Sequence, residues 1–229
     1  ETLQRIADRE RSPMYQVGDV TNDHRFTFES KSTGEKPMDY ALEDFFGSSP
    51  KTILEDKIYP LEKRYLTVPF SKVEPELQKI RTHVKKKGLW NPHLSKAHGG
   101  MGFNLVEFGQ ISELLGTSPY GHFCFNCNAP DIGNQELLLG NASEYIKQTY
   151  LEPLIKGEIR SCFSMTEPEF AGSNPVEMGT TAVRDGNHFV INGHKWFTTS
   201  AEGASFAVVM ANTNPEAENR YQQASMIIV

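Results

Sequence analysis

Apolar residues recur along this chain at two periods, and the change between them divides it. Leu54, Ile58, Leu61 and Tyr65 keep helical spacing, with Pro60 predicting a kink or a division among them. Ser71-Lys72-Val73-Glu74 reads as a capping box, after which Leu77, Ile80 and Val84 line one side of a helix until Gly88. Pro75 also suits a first helical position, which leaves the start of that helix open by a few residues. Asn104 and Glu107 cap the next helix, which is predicted to turn Leu105, Phe108, Ile111 and Leu115 inward before Gly116. A short helix opens within 120–128, and Tyr145, Ile146, Thr149, Tyr150 and Pro153 keep helical spacing through Leu154 until Gly157. Residues 52–156 therefore read as mainly helical.

After Gly157 the period falls to two. Residues 181–184 and 188–191 flank Asp185-Gly186-Asn187, a hairpin turn, and 206–211 and 225–229 are further β-rich runs. The pattern predicts an α+β chain: an all-α helical N-terminal domain over 50–157, then a small antiparallel β-barrel-like domain over 158–229. The last strand stops at Val229 with no turn or polar tail, so that domain reads as incomplete. Residues 1–49 mix charge and turn residues around one short strand at 24–28 and read as a linker or peripheral arm.

Composition narrows the function classes. A hydrophobic fraction of 38% and a charged fraction of 23% over 229 residues suit a soluble chain with a substantial core. The formal charge of −6 gives no electrostatic footprint for nucleic acid, and Lys85-Lys86-Lys87 reads as the solvated end of a helix. No membrane-spanning run, signal-peptide core or initiator methionine is evident. Cys124, Cys127 and Cys162 cannot all pair within one chain and read as buried free thiols in a reducing compartment. A Cys124–Cys127 redox couple would need a thioredoxin-like strand and helix around it, and a zinc site would need a second ligand pair; neither is evident. Gly99-Gly100-Met101-Gly102 lacks dinucleotide-fingerprint spacing and reads as a turn between helices.

Two segments concentrate chemistry: 161–174, SCFSMTEPEFAGSN, and 191–200, INGHKWFTTS. Hydroxyls and backbone amides bond ring heteroatoms, glycine admits phosphate close to backbone, and an aromatic covers one ring face, which suits a flavin. Met165-Thr166-Glu167-Pro168, Ala171-Gly172-Ser173-Asn174 and Asn192-Gly193-His194-Lys195-Trp196-Phe197-Thr198-Thr199 together resemble the flavin-binding signature of acyl-CoA dehydrogenases. The resemblance extends through 125–131, Gly133-Asn134 and 151–154, is similar to the member 10/11 branch, and runs from about Pro50 to Val229. One departure is Glu169-Phe170, two residues where the common family pattern has one, so the loop there must bulge.

The resemblance implies FAD as cofactor, bound by Phe163, Ser164, Met165, Thr166, Gly172, Ser173, Phe197, Thr198 and Thr199, with Ser173 also meeting substrate. Thr166 would bond the pyrimidine edge, Phe163 and Met165 would touch the ring, Phe197 would cover it with Trp196 facing the other way, and Thr199 would meet N5. The implied reaction is α,β-dehydrogenation of an acyl-CoA to the 2-enoyl-CoA, with an electron-transfer flavoprotein or oxygen as acceptor and a homo-oligomeric assembly. The family's catalytic glutamate lies in a C-terminal helical bundle that this sequence does not contain. No catalytic residue or metal ligand is therefore assigned, Glu167 is read as structural, and the isolated chain is expected to show little or no turnover. The alternative is a non-catalytic acyl- or partner-binding fragment of the same fold. Localisation is expected to be mitochondrial or peroxisomal in a eukaryote and cytoplasmic otherwise.

Overall fold

The computed structural model describes residues 25–28, 32–36, 38–41, 50–172 and 174–229. The chain forms two compact units, Glu1–Thr52 and Ile53–Val229. In the first, β1 (Arg25–Phe28) pairs antiparallel with β2 (Met38–Ala41), Arg25 opposite Ala41 and Phe28 opposite Met38. The sequence pattern marks β1 alone, because Met38-Asp39-Tyr40-Ala41 carries little of the β-branched signature of a strand.

From Pro50 the chain is helical with changing pitch. A short α1 (Pro50–Ile53) passes into a π turn at Leu54–Ile58 and a 3-10 stretch at Tyr59–Arg64. Pro60 sits at the start of the 3-10 stretch, where its missing N–H is tolerated. The long helix α2 (Phe70–Lys86) buries Val73, Leu77, Ile80 and Val84 as their spacing predicts, but it has no capping box at Ser71. Pro69, at φ −57° and ψ 144°, occupies the cap position, so Ser71 already lies inside the first turn.

In α3 (Leu105–Leu115) the cap is as expected. Asn104 Oδ1 accepts from the amides of Val106 and Glu107 at 2.9 and 3.0 Å, and Glu107 Oε2 accepts from the Asn104 amide at 2.9 Å. Leu115 is fully buried, whereas Leu105 is 84% exposed, contrary to expectation. Helical side chains lean toward the N-terminus, so a first-turn residue projects past the end of the core. The chain continues through α4 (Gly121–Cys124), α5 (Asp131–Asn141), α6 (Glu144–Ile146), a π segment at Lys147–Leu151 and α7 (Glu152–Lys156), which Gly157 ends at φ 66°.

Leu54, Ile58, Leu77, Val84, Leu115 and Phe125 form the main helical core. A cation lies at its edge. Arg81 is 3% exposed, donates to the carbonyls of Phe123 and Gly157 and to Asn126 Oδ1, and stacks 4.4 Å from the Phe123 ring centroid and 4.8 Å from that of Trp90. Burial pushes its pKa down to about 10. Asn126, held at φ 58°, in turn donates to Asn91 Oδ1 at 2.7 Å and to the carbonyls of Leu154 and Ile155, tying 123–126 to the end of α7.

A second core, Leu138, Leu151, Leu154, Phe206 and Val208, joins α5 to the sheet. The sheet comprises β3 (Ser161–Ser164), β4 (Thr181–Asp185), β5 (His188–Asn192), β6 (Phe206–Asn212) and β7 (Ala224–Ile228), in the order β3-β6-β4-β5 with β7 also on β6. The β4–β5 hairpin forms as predicted. The antiparallel barrel does not: β3 runs parallel to β6, β4 meets β6 in parallel at Thr181 and Asn212, and the sheet is open and mixed. Alternation locates strands but not their direction, and β3 reaches β6 across the whole loop and hairpin between them. Among the described residues no helix is long and apolar enough to cross a membrane.

Candidate functional site

The two chemically rich segments meet. At the end of β3 the Trp196 amide donates to the Thr166 carbonyl at 3.1 Å, and the Thr166 hydroxyl donates to the Trp196 carbonyl at 2.8 Å. Ser164 Oγ and Thr198 Oγ1 lie 3.3 Å apart. Lys195 Nζ reaches back to the Met165 carbonyl and to Glu167 Oε1, both at 2.8 Å. Residues 164–167 and 195–198 thus run side by side as one rim.

The Lys195–Glu167 pair fixes this rim, and its side chains are only 11% and 3% exposed. Glu167 also accepts from the amides of Gly179 at 2.6 Å and Thr180 at 2.9 Å. Burial alone would raise its pKa, but the bonds from Lys195, Thr180 and Gly179 outweigh that and hold it at about 2. A carboxylate that accepts three hydrogen bonds and is held so acidic is a weak proton acceptor.

The rim presents both polar and apolar groups. Ser164 is buried at 8% exposure, so its hydroxyl serves the contact with Thr198. The Thr166 hydroxyl hydrogen is already bonded to Trp196, which leaves the oxygen lone pairs as the side chain's remaining capacity. A Cβ added at Gly172 would come within 3.0 Å of Thr166 Cγ2, so glycine admits the loop to close contact with the rim. Phe163 packs against the second core and Met165 is half-buried, while Thr198 is half-buried and Thr199 exposed. Ser173 lies outside the described residues.

The two aromatics differ from expectation. Trp196 and Phe197 do not face opposite ways; their ring centroids are 4.5 Å apart at 45°, with Phe197 78% exposed. Phe197 has φ 50°, and leaving the extended region breaks the alternation that would have sent consecutive side chains to opposite sides. The extra residues Glu169 and Phe170 are anchored locally. Glu169 Oε1 lies 3.4 Å from His194 Nδ1, and the Phe170 ring lies so close to Gly179 that a Cβ there would meet it at 2.9 Å.

Sequence reasoning passed over the Lys195–Glu167 clamp as a pair, although both residues stand in the quoted motifs, and gave no role to Asp131 and Asn134. The cysteines are free and buried, and burial pushes Cys124 and Cys127 up to about 12. Among the described residues no group of His, Cys, Asp and Glu is placed to hold a metal. An apolar cavity of about 720 Å³ is bounded by Leu138, Ile146, Val208 and Ile228, and none of the described residues of 163–174 or 195–199 lines it.

Two profiles of one family match this chain, the acyl-CoA dehydrogenase N-terminal domain over residues 49–158 and the middle domain over 162–229. The chain belongs to the acyl-CoA dehydrogenase family and carries those two domains. It is 36% identical to acyl-CoA dehydrogenase family member 10 of Mus musculus over 187 residues, 77% of this chain and 17% of that protein. A solved family structure from Mycobacterium abscessus is 33% identical with a TM-score of 0.74, covering 83% of this chain and 50% of that one. A glutaryl-CoA dehydrogenase from Mycobacterium smegmatis in complex with FADH2 shares the fold at 24% identity and a TM-score of 0.60, covering 82% of this chain and 44% of that one. The chain thus spans half or less of the length of each.

Proposed function

We propose that the rim of residues 163–174 and 195–199 binds FAD, and that the protein carrying it catalyses α,β-dehydrogenation of an acyl-CoA thioester to the 2-enoyl-CoA. When bound, FAD supplies the acceptor for the hydride that leaves the acyl β carbon. The observation that carries this reading is the pairing of the two motifs, Thr166 with Trp196 and Lys195 with both Met165 and Glu167.

The residues present fit the cofactor. Neutral hydroxyls and amides line the rim, its one buried carboxylate is neutralised by Lys195, and glycine 172 permits close backbone approach. Thr166, Thr198 and Thr199 would offer hydrogen bonds to ring heteroatoms. Phe163 and Met165 would give apolar contact, and the exposed Phe197 ring, backed by Trp196, would cover one face. Ser164 would act through its backbone and by steadying Thr198, and Gly172 and Ser173 would stand nearer the linker and substrate. An electron-transfer flavoprotein or oxygen would complete the cycle, and a homo-oligomer is the assembly proposed.

The test is FAD uptake by the full-length protein, with Thr199→Ala and Phe197→Ala beside the wild type. A bound flavin whose visible band bleaches on anaerobic addition of acyl-CoA is expected. Thr199→Ala should weaken FAD by about fivefold, the equivalent of one hydrogen bond of about 1 kcal/mol. A protein that takes up no FAD would overturn the reading.

A further inference from the structure

The resemblance upstream of the rim, Asn128 to Asn134, has no place in the proposed site, yet it holds the strand that leads there. Asp131, at the start of α5, is 2% exposed. Its Oδ1 accepts from the Ser161 amide at 2.8 Å and from the Ser161 hydroxyl at 2.6 Å, and Asn128 Nδ2 donates to its Oδ2 at 3.2 Å. One turn on, the buried Asn134 donates from Nδ2 to Ser161 Oγ at 2.9 Å and to the Cys162 carbonyl at 3.3 Å.

These bonds fall on a particular edge. Among the described residues β3 is the last strand in its sheet and is laddered through β6 alone, and on its other side no described strand receives the Ser161 N–H. The first turn of α5 takes that place, with a charged acceptor whose bonds are stronger than those between neutral groups. Four residues separate Ser161 from Thr166, and the far end of that short span is gripped by Lys195 and Trp196. The span is therefore held at both ends, by α5 at its start and by the second motif at its finish.

We infer that Asp131 is a positioning residue for the cofactor rim: by gripping the start of β3 it sets how far along the sheet Phe163, Met165 and Thr166 lie, and hence their placement against FAD. The inference rests on the FAD reading above. It assigns to α5 a part in the site without contact with the ligand.

The test uses the full-length protein with its flavin, comparing Asp131→Asn and Ser161→Ala with Leu115→Ala, a buried position in the helical core. Affinity for FAD, the visible spectrum and midpoint potential of the bound flavin, and the urea midpoint are measured for each. Asp131→Asn should weaken FAD roughly tenfold or more, as loss of a hydrogen bond to a charged group implies, and should shift the spectrum and potential of the flavin that remains bound. Ser161→Ala should move the same readouts less, and Leu115→Ala should lower the urea midpoint and leave spectrum and potential alone. Should Asp131→Asn fail to fold, Ser161→Ala decides. If Asp131→Asn and Ser161→Ala lower only the urea midpoint, with spectrum and potential unmoved, Asp131 serves stability alone and the inference falls. A wild type that binds no FAD overturns the FAD reading and the inference with it, a result distinct from unmoved variants of a flavin-loaded protein.

Discussion

Lys195 and Glu167, 28 residues apart in sequence, hold the two motifs together, and removing one partner of a buried pair leaves a charge without compensation. Lys195→Met should therefore cost about 3 kcal/mol in urea unfolding, and Glu167→Gln in the same background should recover part of it. The acid limb follows from the same pair. Glu167 titrates at about 2 in the fold against an ordinary 4.5, so its stabilisation is present above the unfolded value and is lost as pH falls from about 4.5 toward 2. That loss should appear for the wild type and be absent from Glu167→Gln; identical acid limbs would contradict the clamp. The buried thiols of Cys124 and Cys127 should resist a thiol reagent at neutral pH until the protein unfolds, since burial raises both to about 12. Rapid reaction in the fold would revive the redox-couple reading. The motif residues themselves were legible because hydroxyl, glycine and aromatic types announce their chemistry, whereas the Phe197 side chain was not, because its placement depends on a backbone angle of 50° that no residue type at that position signals.

Among the elements, those governed by local chemistry could be read directly. The Asn104–Glu107 box is complete within four residues, and Asn104→Ala should lower stability by about 1 kcal/mol in thermal or urea unfolding. An unchanged midpoint would mean that α3 is held by packing alone. At α2 the same logic misled, since Pro69 with its fixed φ took the cap position ahead of Ser71. The Asp185-Gly186-Asn187 turn fixed the β4–β5 hairpin in sequence, with Gly186 at φ 59°. The parallel run of β3 along β6 had no such local signal, because strand direction is decided by the connection between the two and by the grip of α5 on Ser161.

At the scale of the molecule, the second unit is helical chain and open sheet joined through the second core and through the side chains of Asp131 and Asn134 on α5. Its outline was legible from the change of hydrophobic period at Gly157; the polar joins were not, since each depends on a buried polar group meeting a carbonyl, amide or hydroxyl far away in sequence. The rim stands on that join, which is why its position should respond to α5 as well as to its own residues. Hydrogen exchange of the full-length protein with and without added FAD reads that position most directly. Slowed exchange confined to amides of 163–166 and 196–199 would locate the flavin on the rim. Protection along the apolar cavity between α5 and β7, or none anywhere, would contradict it.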